Sequence, residues 1–337
     1  MSERKRVLAI STTAIGDTLL GVPAMISLGL EYDLDVLVHQ RQRSLLVGNP
    51  YLKLLYPYRN NFFYRLGLAW HLRATRYHRV VILHANHDIL KLLPRLKYQR
   101  AGNIQGWNDP KLRLEAVAPD PKLHAIDKRL RIAFWAGAVP ATLDMRIFLS
   151  PQEIEAGENW LAAKGLERDR PRVGLCPGAA QPYKRWPAER FGELAALLKK
   201  AGVGVYVVGA AGEKDIYRRL CAAAGFQPPA ALGLELRLSA ALLSMSDLLV
   251  TNDTGPMHMA LAVGLPVLAL FGPTDHQTIG PRNPESRVLA VPPTCQPCLT
   301  KKCPHGECMQ ALQVERVARA AGEMLGQGPA RPGERHE

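Results

Sequence analysis

The sequence predicts an α/β protein made of two doubly wound domains, and three observations support this. The chain has 337 residues, which is more than one ordinary hydrophobic core can use, so two domains are expected. Apolar residues make up 47% of the chain and charged residues 22%, which is typical of globular proteins. Short apolar runs without alternation are separated by helix-length segments, a pattern that indicates parallel sheets buried on both faces.

The predicted elements fall into two blocks. In the first block, each strand is followed by a helix-length segment, and two helices come later; the strands are residues 7–11, 34–39, 53–58 and 80–85, and the later helices are residues 125–138 and 151–164. In the second block strands alternate with helices; the strands are residues 173–176, 203–208, 248–250 and 266–271, and the helices are residues 187–201, 213–224 and 256–263. Residues 102–120 are predicted to form a loop.

Two Rossmann-like domains follow from these blocks, at residues 1–167 and 168–325, with a disordered tail at residues 326–337. Ligands of such folds bind at the carboxyl ends of the strands. We therefore expect the two domains to face a cleft in which the ligand lies.

Positive charge is concentrated in the first domain. Residues 41–113 hold 14 lysines and arginines against only Asp88 and Asp109, which accounts for nearly all of the chain's formal charge of +13. A one-sided basic surface indicates a polyanionic partner, such as nucleic acid, anionic lipid headgroups or a phosphorylated glycan. A generally arginine-rich composition is the alternative.

The hydropathy pattern predicts a cytoplasmic protein. The longest apolar stretches, such as residues 263–271, are about half of the ~20 residues that a membrane-spanning helix needs. The basic N-terminus has only a short apolar part and is interpreted as a first strand, not as a signal peptide. Thiols in that compartment are normally reduced.

Asp17 is the first candidate functional residue, because it follows the first predicted strand on the ligand-binding edge. The turn contains Gly16 but not the G-x-G-x-x-G fingerprint, which counts against an NAD-dependent enzyme. The spacing alone favours a simpler role for Asp17, that of a helix N-cap.

Gly178, Lys184 and Arg185 belong to the loop after the strand at residues 173–176. Glycine lets backbone amides approach an anion, the two cations add charge, and Pro187 opens the next helix at its positive end. The loop is therefore predicted to bind phosphate, in preference to being a solvated turn.

A third loop follows the strand at residues 248–250 and supplies six further candidates: Asp253, Thr254, Gly255, Pro256, Met257 and His258. The amides at the start of the following helix, those of Thr254, Gly255 and Met257, can hold a diphosphate. Asp253 either orients Lys184 or a substrate hydroxyl, or it caps the helix. His258 is either a ligand or a core histidine.

Glu213 opens a predicted helix after the strand at residues 203–208. A carboxylate at this position can bind ribose hydroxyls, as acidic residues do in nucleotide-binding folds. A favourable interaction with the helix dipole is an equal alternative.

Four cysteines lie close together near the end of the chain: Cys295, Cys298, Cys303 and Cys308. They are compatible with a tetrahedral zinc ion or an iron–sulfur cluster, but the spacing is not that of a standard paired knuckle. Surface thiols or redox-labile pairs are the alternatives. Cys176 and Cys221 are expected in the core.

Together the loops resemble glycosyltransferase family 9, which contains the ADP-heptose:lipopolysaccharide heptosyltransferases. The resemblance rests on residues 14–17 with Pro23 and Ala24, on residues 177–187, and on residues 252–258 with 271–274. It covers the chain to about residue 320, whereas residues 41–150 contribute little to it.

The resemblance implies a GT-B type fold in which the second domain holds most of the nucleotide-sugar donor. It implies inversion by direct displacement, with Asp17 as general base and Lys184 neutralising the departing diphosphate together with the helix end at Thr254 to Met257. No metal would be required for the chemistry.

The partners implied are a nucleotide-sugar donor and a lipid-linked anionic glycan acceptor, the inner core of lipopolysaccharide, at the cytoplasmic face of the inner membrane. We expect a monomer that binds no nucleic acid. The alternatives are a family 9 transferase that uses another nucleotide sugar, and a non-enzymatic polyanion-binding protein.

Overall fold

The computed structural model describes residues 4–117, 120–291, 303 and 307–326. The chain divides into two compact units, Met1–Phe148 and Leu149–Glu337. Each unit contains a parallel six-stranded sheet whose strands are connected through helices. The predicted fold class, two doubly wound α/β domains, is therefore confirmed.

Unit 1 has the strand order β3-β2-β1-β4-β5-β6. Its strands are β1 (Arg6–Ser11), β2 (Asp33–His39), β3 (Leu54–Tyr58), β4 (Arg76–His84), β5 (Lys97–Asn103) and β6 (Leu114–Ala116). Its α-helices are α1 (Ile15–Leu20), α2 (Val22–Glu31), α3 (Phe62–Leu72) and α4 (Ala125–Trp135). The β1 residues from Val7 to Ile10 are fully buried, because the sheet is covered on both faces, and β1 therefore has no polar alternation.

Unit 2 has the strand order β12-β11-β10-β7-β8-β9. Its strands are β7 (Arg172–Cys176), β8 (Gly204–Gly209), β9 (Ala230–Leu232), β10 (Leu248–Asn252), β11 (Val267–Phe271) and β12 (Arg287–Ala290). Its α-helices are α5 (Pro151–Ala162), α6 (Ala188–Lys200), α7 (Lys214–Ala224), α8 (Leu236–Ser244), α9 (Gly255–Ala262), α10 (His276–Ile279), α11 (Glu307–Gln310) and α12 (Val314–Met324).

The predicted loop at residues 102–120 is partly wrong, because this segment contains the end of β5 and the whole of β6. Only the last three residues of β5, Ala101 to Asn103, are buried, so the strand lacks the apolar run that identified the eight predicted strands. The Asn103 side chain links the end of β5 to the following loop and to β6. Its Nδ2 donates to the carbonyl oxygens of Trp107 at 2.7 Å and Glu115 at 3.0 Å.

The units divide at Phe148, whereas the sequence placed the domain boundary after residue 167. The difference is helix α5, which packs on α8 of unit 2. Gly157 of α5 lies so close to Ala241 of α8 that an added Cβ would stand 2.7 Å from the Ala241 carbonyl carbon. The Glu158 carboxylate of α5 accepts two hydrogen bonds of 2.8 Å from Arg172, the first residue of β7. These contacts are long-range, so no local pattern shows them.

We expect Glu158→Gln to lower the free energy of unfolding by about 3 kcal/mol, because the Arg172 side chain is 2% exposed and would lose its counter-charge. Hydrogen bonding to Arg172 lowers the pKa of Glu158 to about 2 from an ordinary 4.5. The stabilisation is therefore complete above pH 4.5 and is lost as the pH falls through about 2.

Denaturant unfolding of the wild type and the variant from neutral to acid pH measures this effect. Glu155→Gln is the matched control, since Glu155 is an exposed residue of the same helix. A difference between wild type and Glu158→Gln that persisted unchanged at the acid end would contradict the ion-pair assignment.

Two further predictions concern the C-terminal tail and membrane-spanning helices. The predicted tail at residues 326–337 lies outside the described residues, apart from Gly326. None of the helices in the described part of the chain is both long enough and apolar enough to cross a membrane.

Candidate active site

In each sheet the strand order reverses between two central strands, and ligands of doubly wound folds bind beside such a switch point. The switch lies between β1 and β4 in unit 1, and between β7 and β10 in unit 2. Asp17 follows β1, and Lys184 follows β7. The two residues predicted to be catalytic therefore each lie shortly after a strand that borders the switch point of their own sheet.

Asp17 is held by three side chains of unit 1. Its Oδ1 accepts a hydrogen bond from Arg129 Nη2 at 2.9 Å, and its Oδ2 accepts one from Thr13 Oγ1 at 2.9 Å. His84 Nδ1 lies 3.5 Å from the same Oδ2 and 2.8 Å from Thr13 Oγ1. The carboxylate is thus fixed in one orientation with about a quarter of its side chain exposed.

The N-cap interpretation of Asp17 does not describe this geometry. Helix α1 begins at Ile15 and its N-cap is Ala14, so Asp17 is in the first turn. A carboxylate there still gains from the helix dipole. Its specific contacts, however, are to other side chains.

The surroundings of Asp17 favour its ionised form. Burial is the largest single influence and would raise the pKa of Asp17, but the charge of Arg129, that of His84 at the acid pH where it is protonated, and the hydrogen bond from Thr13 together lower it below its ordinary value. Burial lowers the pKa of His84, the Asp17 carboxylate opposes this and Arg129 adds to it; the pKa ends below its ordinary value of 6.5, so the neutral imidazole predominates at pH 7. The site at neutral pH therefore offers a carboxylate, a neutral imidazole and a guanidinium.

Sequence reasoning missed Thr13, His84 and Arg129. His84 is the last residue of β4, and the pairing of β4 with β1 brings it beside Asp17. Arg129 comes from α4, 112 residues away from Asp17, with its side chain 3% exposed. The strand order could have suggested His84, but no sequence signal pointed to Arg129.

In unit 2 the loops after β7 and β10 are joined through Lys184 and Asp253. Lys184 Nζ donates to Asp253 Oδ2 at 2.5 Å, and the Asp253 side chain is only 6% exposed whereas that of Lys184 is 22% exposed. This is the contact anticipated for an aspartate that orients Lys184. The ammonium group is held by a buried carboxylate while part of it stays open to a ligand.

Asn252 fixes the same two loops through its side-chain amide. Its Oδ1 accepts from the Trp186 backbone N–H at 3.0 Å, and its Nδ2 donates to the Pro177 carbonyl at 2.8 Å. Trp186 is 1% exposed, and its indole Nε1 donates to the Leu312 carbonyl at 2.9 Å. The loop that carries Lys184 is therefore anchored on both sides.

At the start of α9, a ligand could be bound by backbone groups more than by side chains. Thr254 is the N-cap but makes no side-chain capping hydrogen bond, and it is partly exposed together with Gly255 and Pro256. Met257 and His258 are buried, at 0% and 3% exposed, and the Met257 amide donates to the Thr254 carbonyl at 3.1 Å. The structure thus places His258 in the core, which was the alternative to a ligand.

Glu213 lies against two glycines, Gly178 in the loop after β7 and Gly209 at the end of β8. A Cβ on Gly178 would stand 2.1 Å from Glu213 Oε1, and one on Gly209 would stand 2.4 Å from Oε2. Oε2 also accepts from the Ala210 amide at 3.0 Å. The carboxylate is thus at the carboxyl edge, as predicted, and a larger residue at either neighbouring position would displace it from this place.

The cysteine cluster is only partly described. Cys303 and Cys308 lie within the described residues, whereas Cys295 and Cys298 lie outside them. No group of three metal-ligating side chains is found among the residues that are described. Cys176 is in the core, as expected, where burial raises the pKa of its thiol to about 12; Cys221 is only partly buried.

Comparison with known proteins identifies the family of the chain. The family model described as "Glycosyltransferase family 9 (heptosyltransferase)" matches residues 110–309. Lipopolysaccharide heptosyltransferase 2 of Salmonella typhimurium is 31% identical over 176 residues, 49% of this chain and 51% of that protein. Lipooligosaccharide heptosyltransferase 2 of Haemophilus influenzae is 25% identical over 311 residues, 85% of this chain and 88% of that protein.

The match to the Salmonella protein spans about half the length of that relative. Among solved structures, the Escherichia coli ADP-heptose lipopolysaccharide heptosyltransferase II superposes with a TM-score of 0.78 at 23% identity, covering 96% of this chain and 99% of that one. This likeness shows the shared fold. Because the family model matches well over half of the residues, the chain belongs to glycosyltransferase family 9, the heptosyltransferase family.

Proposed function

We propose that the chain is an inverting glycosyltransferase that moves a heptose from ADP-heptose to the inner core of lipopolysaccharide by direct displacement. The observation that carries the proposal is the Asp17 carboxylate, kept ionised and oriented by Arg129 and Thr13 beside the switch point of the first sheet. The names of the relatives, all heptosyltransferases of lipopolysaccharide or lipooligosaccharide, support the substrate class.

Asp17 would act as general base on the acceptor hydroxyl. In the displacement, the acceptor oxygen forms a bond to the anomeric carbon while the bond from that carbon to the diphosphate oxygen breaks. The hydroxyl proton becomes strongly acidic as the new bond forms, so even a carboxylate of lowered pKa can take it up. Such a base typically contributes about 10²–10⁴-fold to the rate.

Lys184 would neutralise the charge that develops on the departing diphosphate. Asp253 keeps the ammonium group in place, and the amides at the start of α9 add partial positive charge. Glu213 and Gly178 would border the donor at the ends of β8 and β7. These groups would serve the leaving group without a required cofactor.

The basic stretch at residues 41–113 supports an anionic, lipid-linked acceptor and a peripheral position at the cytoplasmic face of the inner membrane. We propose a monomer with no nucleic-acid partner. A family 9 transferase that uses a different nucleotide sugar is the second candidate, because the described donor-side contacts are suited to a diphosphate and do not identify the sugar.

An assay with purified protein tests the proposal. A deep-truncated lipopolysaccharide is offered together with ADP-heptose or with other nucleotide sugars, and transfer and donor-induced thermal stabilisation are both measured. We expect transfer from ADP-heptose and an increase of the melting temperature by ADP-heptose and by ADP.

The outcomes separate the alternatives. Transfer from another nucleotide sugar but not from ADP-heptose would support the second candidate. Neither transfer nor stabilisation by any nucleotide sugar would show instead a polyanion-binding protein without enzyme activity.

A further inference from the structure

Helix α3 of unit 1 has two apolar faces, and only one of them is buried. Leu68, Ala69 and Leu72 pack into the core of the sheet. Phe62, Leu66 and Trp70, spaced four residues apart, lie on another side of the helix and are 57%, 38% and 67% exposed. Phe63 is 80% exposed beside them. We name Phe62, Phe63, Leu66 and Trp70 the α3 stripe.

A run of large exposed aromatic side chains on one helix is unusual for a protein surface, where apolar residues are normally scattered singly. Phenylalanine and tryptophan at such density are typical of surfaces that enter another apolar phase or contact a partner. The sequence draws attention to this region only through its charge.

The surface beside the α3 stripe is strongly basic and partly hollow. A cavity of about 240 Å³ opens between α3 and the segment after β4, and it is lined by Phe62, Arg65, Leu66, Lys91, Leu92 and Arg95. The cavity is thus amphiphilic, with three apolar and three cationic side chains. Asp88 pairs with Arg65 at 3.6 Å, but Lys91 and Arg95 are exposed and have no acidic partner within 4 Å among the described residues.

A second, larger hollow adjoins the same segment. It has a volume of about 650 Å³, and Leu93 and Pro94 line it directly after Leu92 of the first cavity. Its cations are Arg76, Lys97, Lys111 and Arg113, and none of the described residues that line it is acidic. Cationic side chains therefore line both the cavity beside the α3 stripe and the hollow that follows it along the chain.

We propose that this surface docks the protein on an anionic lipid bilayer, with the α3 stripe inserted at the headgroup level and the surrounding cations on lipid phosphates. Aromatic side chains flanked by lysine and arginine match the interface of a bilayer, which is apolar within and anionic at its surface. A partner protein would not require so much uncompensated positive charge. The inference names the surface that would hold the protein at its proposed peripheral location. It rests on the proposed function only for which membrane is bound.

Vesicle binding of the full chain tests the inference. Sedimentation is measured with vesicles of phosphatidylcholine containing phosphatidylglycerol, and with vesicles of phosphatidylcholine alone. We expect binding to the anionic vesicles, weakened by salt. The double variant Phe63→Ser/Trp70→Ser should bind on the order of 100-fold more weakly, since each buried aromatic residue contributes roughly tenfold. The double variant Lys91→Ser/Arg95→Ser should lose about tenfold or more.

Phe134→Ser is the matched control, because Phe134 is an aromatic residue of α4 in the same unit and is 68% exposed. It should bind vesicles as the wild type does. Insertion is read separately with lipids that carry brominated acyl chains, which quench tryptophan fluorescence on contact. The part of the tryptophan fluorescence that these lipids quench should disappear in Trp70→Phe. This variant keeps an aromatic ring at the position and should still bind vesicles.

Several results would overturn the inference. They are equal binding by wild type and Phe63→Ser/Trp70→Ser, an equal loss in Phe134→Ser, or binding without quenching of Trp70. A fourth result would be that Phe63→Ser/Trp70→Ser still binds vesicles but no longer transfers sugar to a water-soluble acceptor. The α3 stripe would then bind the acceptor and not the membrane. Wild-type protein that docks through the stripe but transfers no sugar would support the docking surface and refute the proposed function alone.

Discussion

Asp17→Asn is expected to lower kcat by about 10²–10⁴-fold while leaving donor affinity nearly unchanged. Asparagine keeps the size of the side chain and an oxygen acceptor, but it cannot take up the proton of the acceptor hydroxyl. The loops proposed to bind the nucleotide lie in the other compact unit, so the substitution removes no group proposed to bind the donor. Single-turnover transfer and donor-induced thermal stabilisation measure the two quantities separately.

The substitution also affects stability, because Arg129 is buried and would lose its counter-charge. The activity is therefore compared at a temperature well below the melting point of the variant. Asp88→Asn is the matched control, since Asp88 is another carboxylate of unit 1 that pairs with an arginine, Arg65, but does not contact Asp17. Loss of donor affinity together with activity in Asp17→Asn, or an equal loss of kcat in Asp88→Asn, would contradict the base assignment.

The pH profile gives an independent readout of the same site. The charge of Arg129 helps to lower the pKa of Asp17, so the acid limb of kcat/KM in the wild type should lie below the ordinary carboxyl range. Arg129→Gln removes that charge, and the acid limb should move to higher pH. An arginine with a purely structural role would lower the activity at all pH values and leave the limb in place.

Lys184→Met is expected to lower kcat/KM by about 10²–10³-fold, because the charge of the departing diphosphate would lose its cation. The variant should also be less stable, since the Asp253 carboxylate, 6% exposed, would be left without its partner at 2.5 Å. Steady-state kinetics and denaturant unfolding measure the two losses. Lys200→Met, at an exposed lysine of α6, is the control for removal of one positive charge from unit 2.

The double variant Lys184→Met/Asp253→Asn separates catalysis from stability. Removing both charges should restore most of the lost stability, because no buried charge is left unpaired. The kcat/KM should remain low, since the cation for the diphosphate is still missing. Recovery of activity along with stability would show that Lys184 serves only to neutralise Asp253.

Several features of the site could be predicted from the sequence because they are local. Apolar runs without alternation identified the central strands, and the glycines and charged residues after those strands identified the loops around Asp17, Lys184 and Asp253. The contact between Lys184 and Asp253 could also be anticipated from the sequence, because adjacent parallel strands bring their carboxyl-end loops together. Strands with little burial, such as β6, carried no such signal.

The sequence by itself determined the two parallel sheets and the loops that carry the candidate residues, because strand burial and turn formation depend on the types of neighbouring residues. Only the tertiary structure decided what surrounds those residues. Arg129 reaches Asp17 from 112 positions away, α5 joins the second unit through Arg172, and the α3 stripe remains uncovered. Each of these depends on which side chains meet after folding, and contacts between distant segments leave no local pattern.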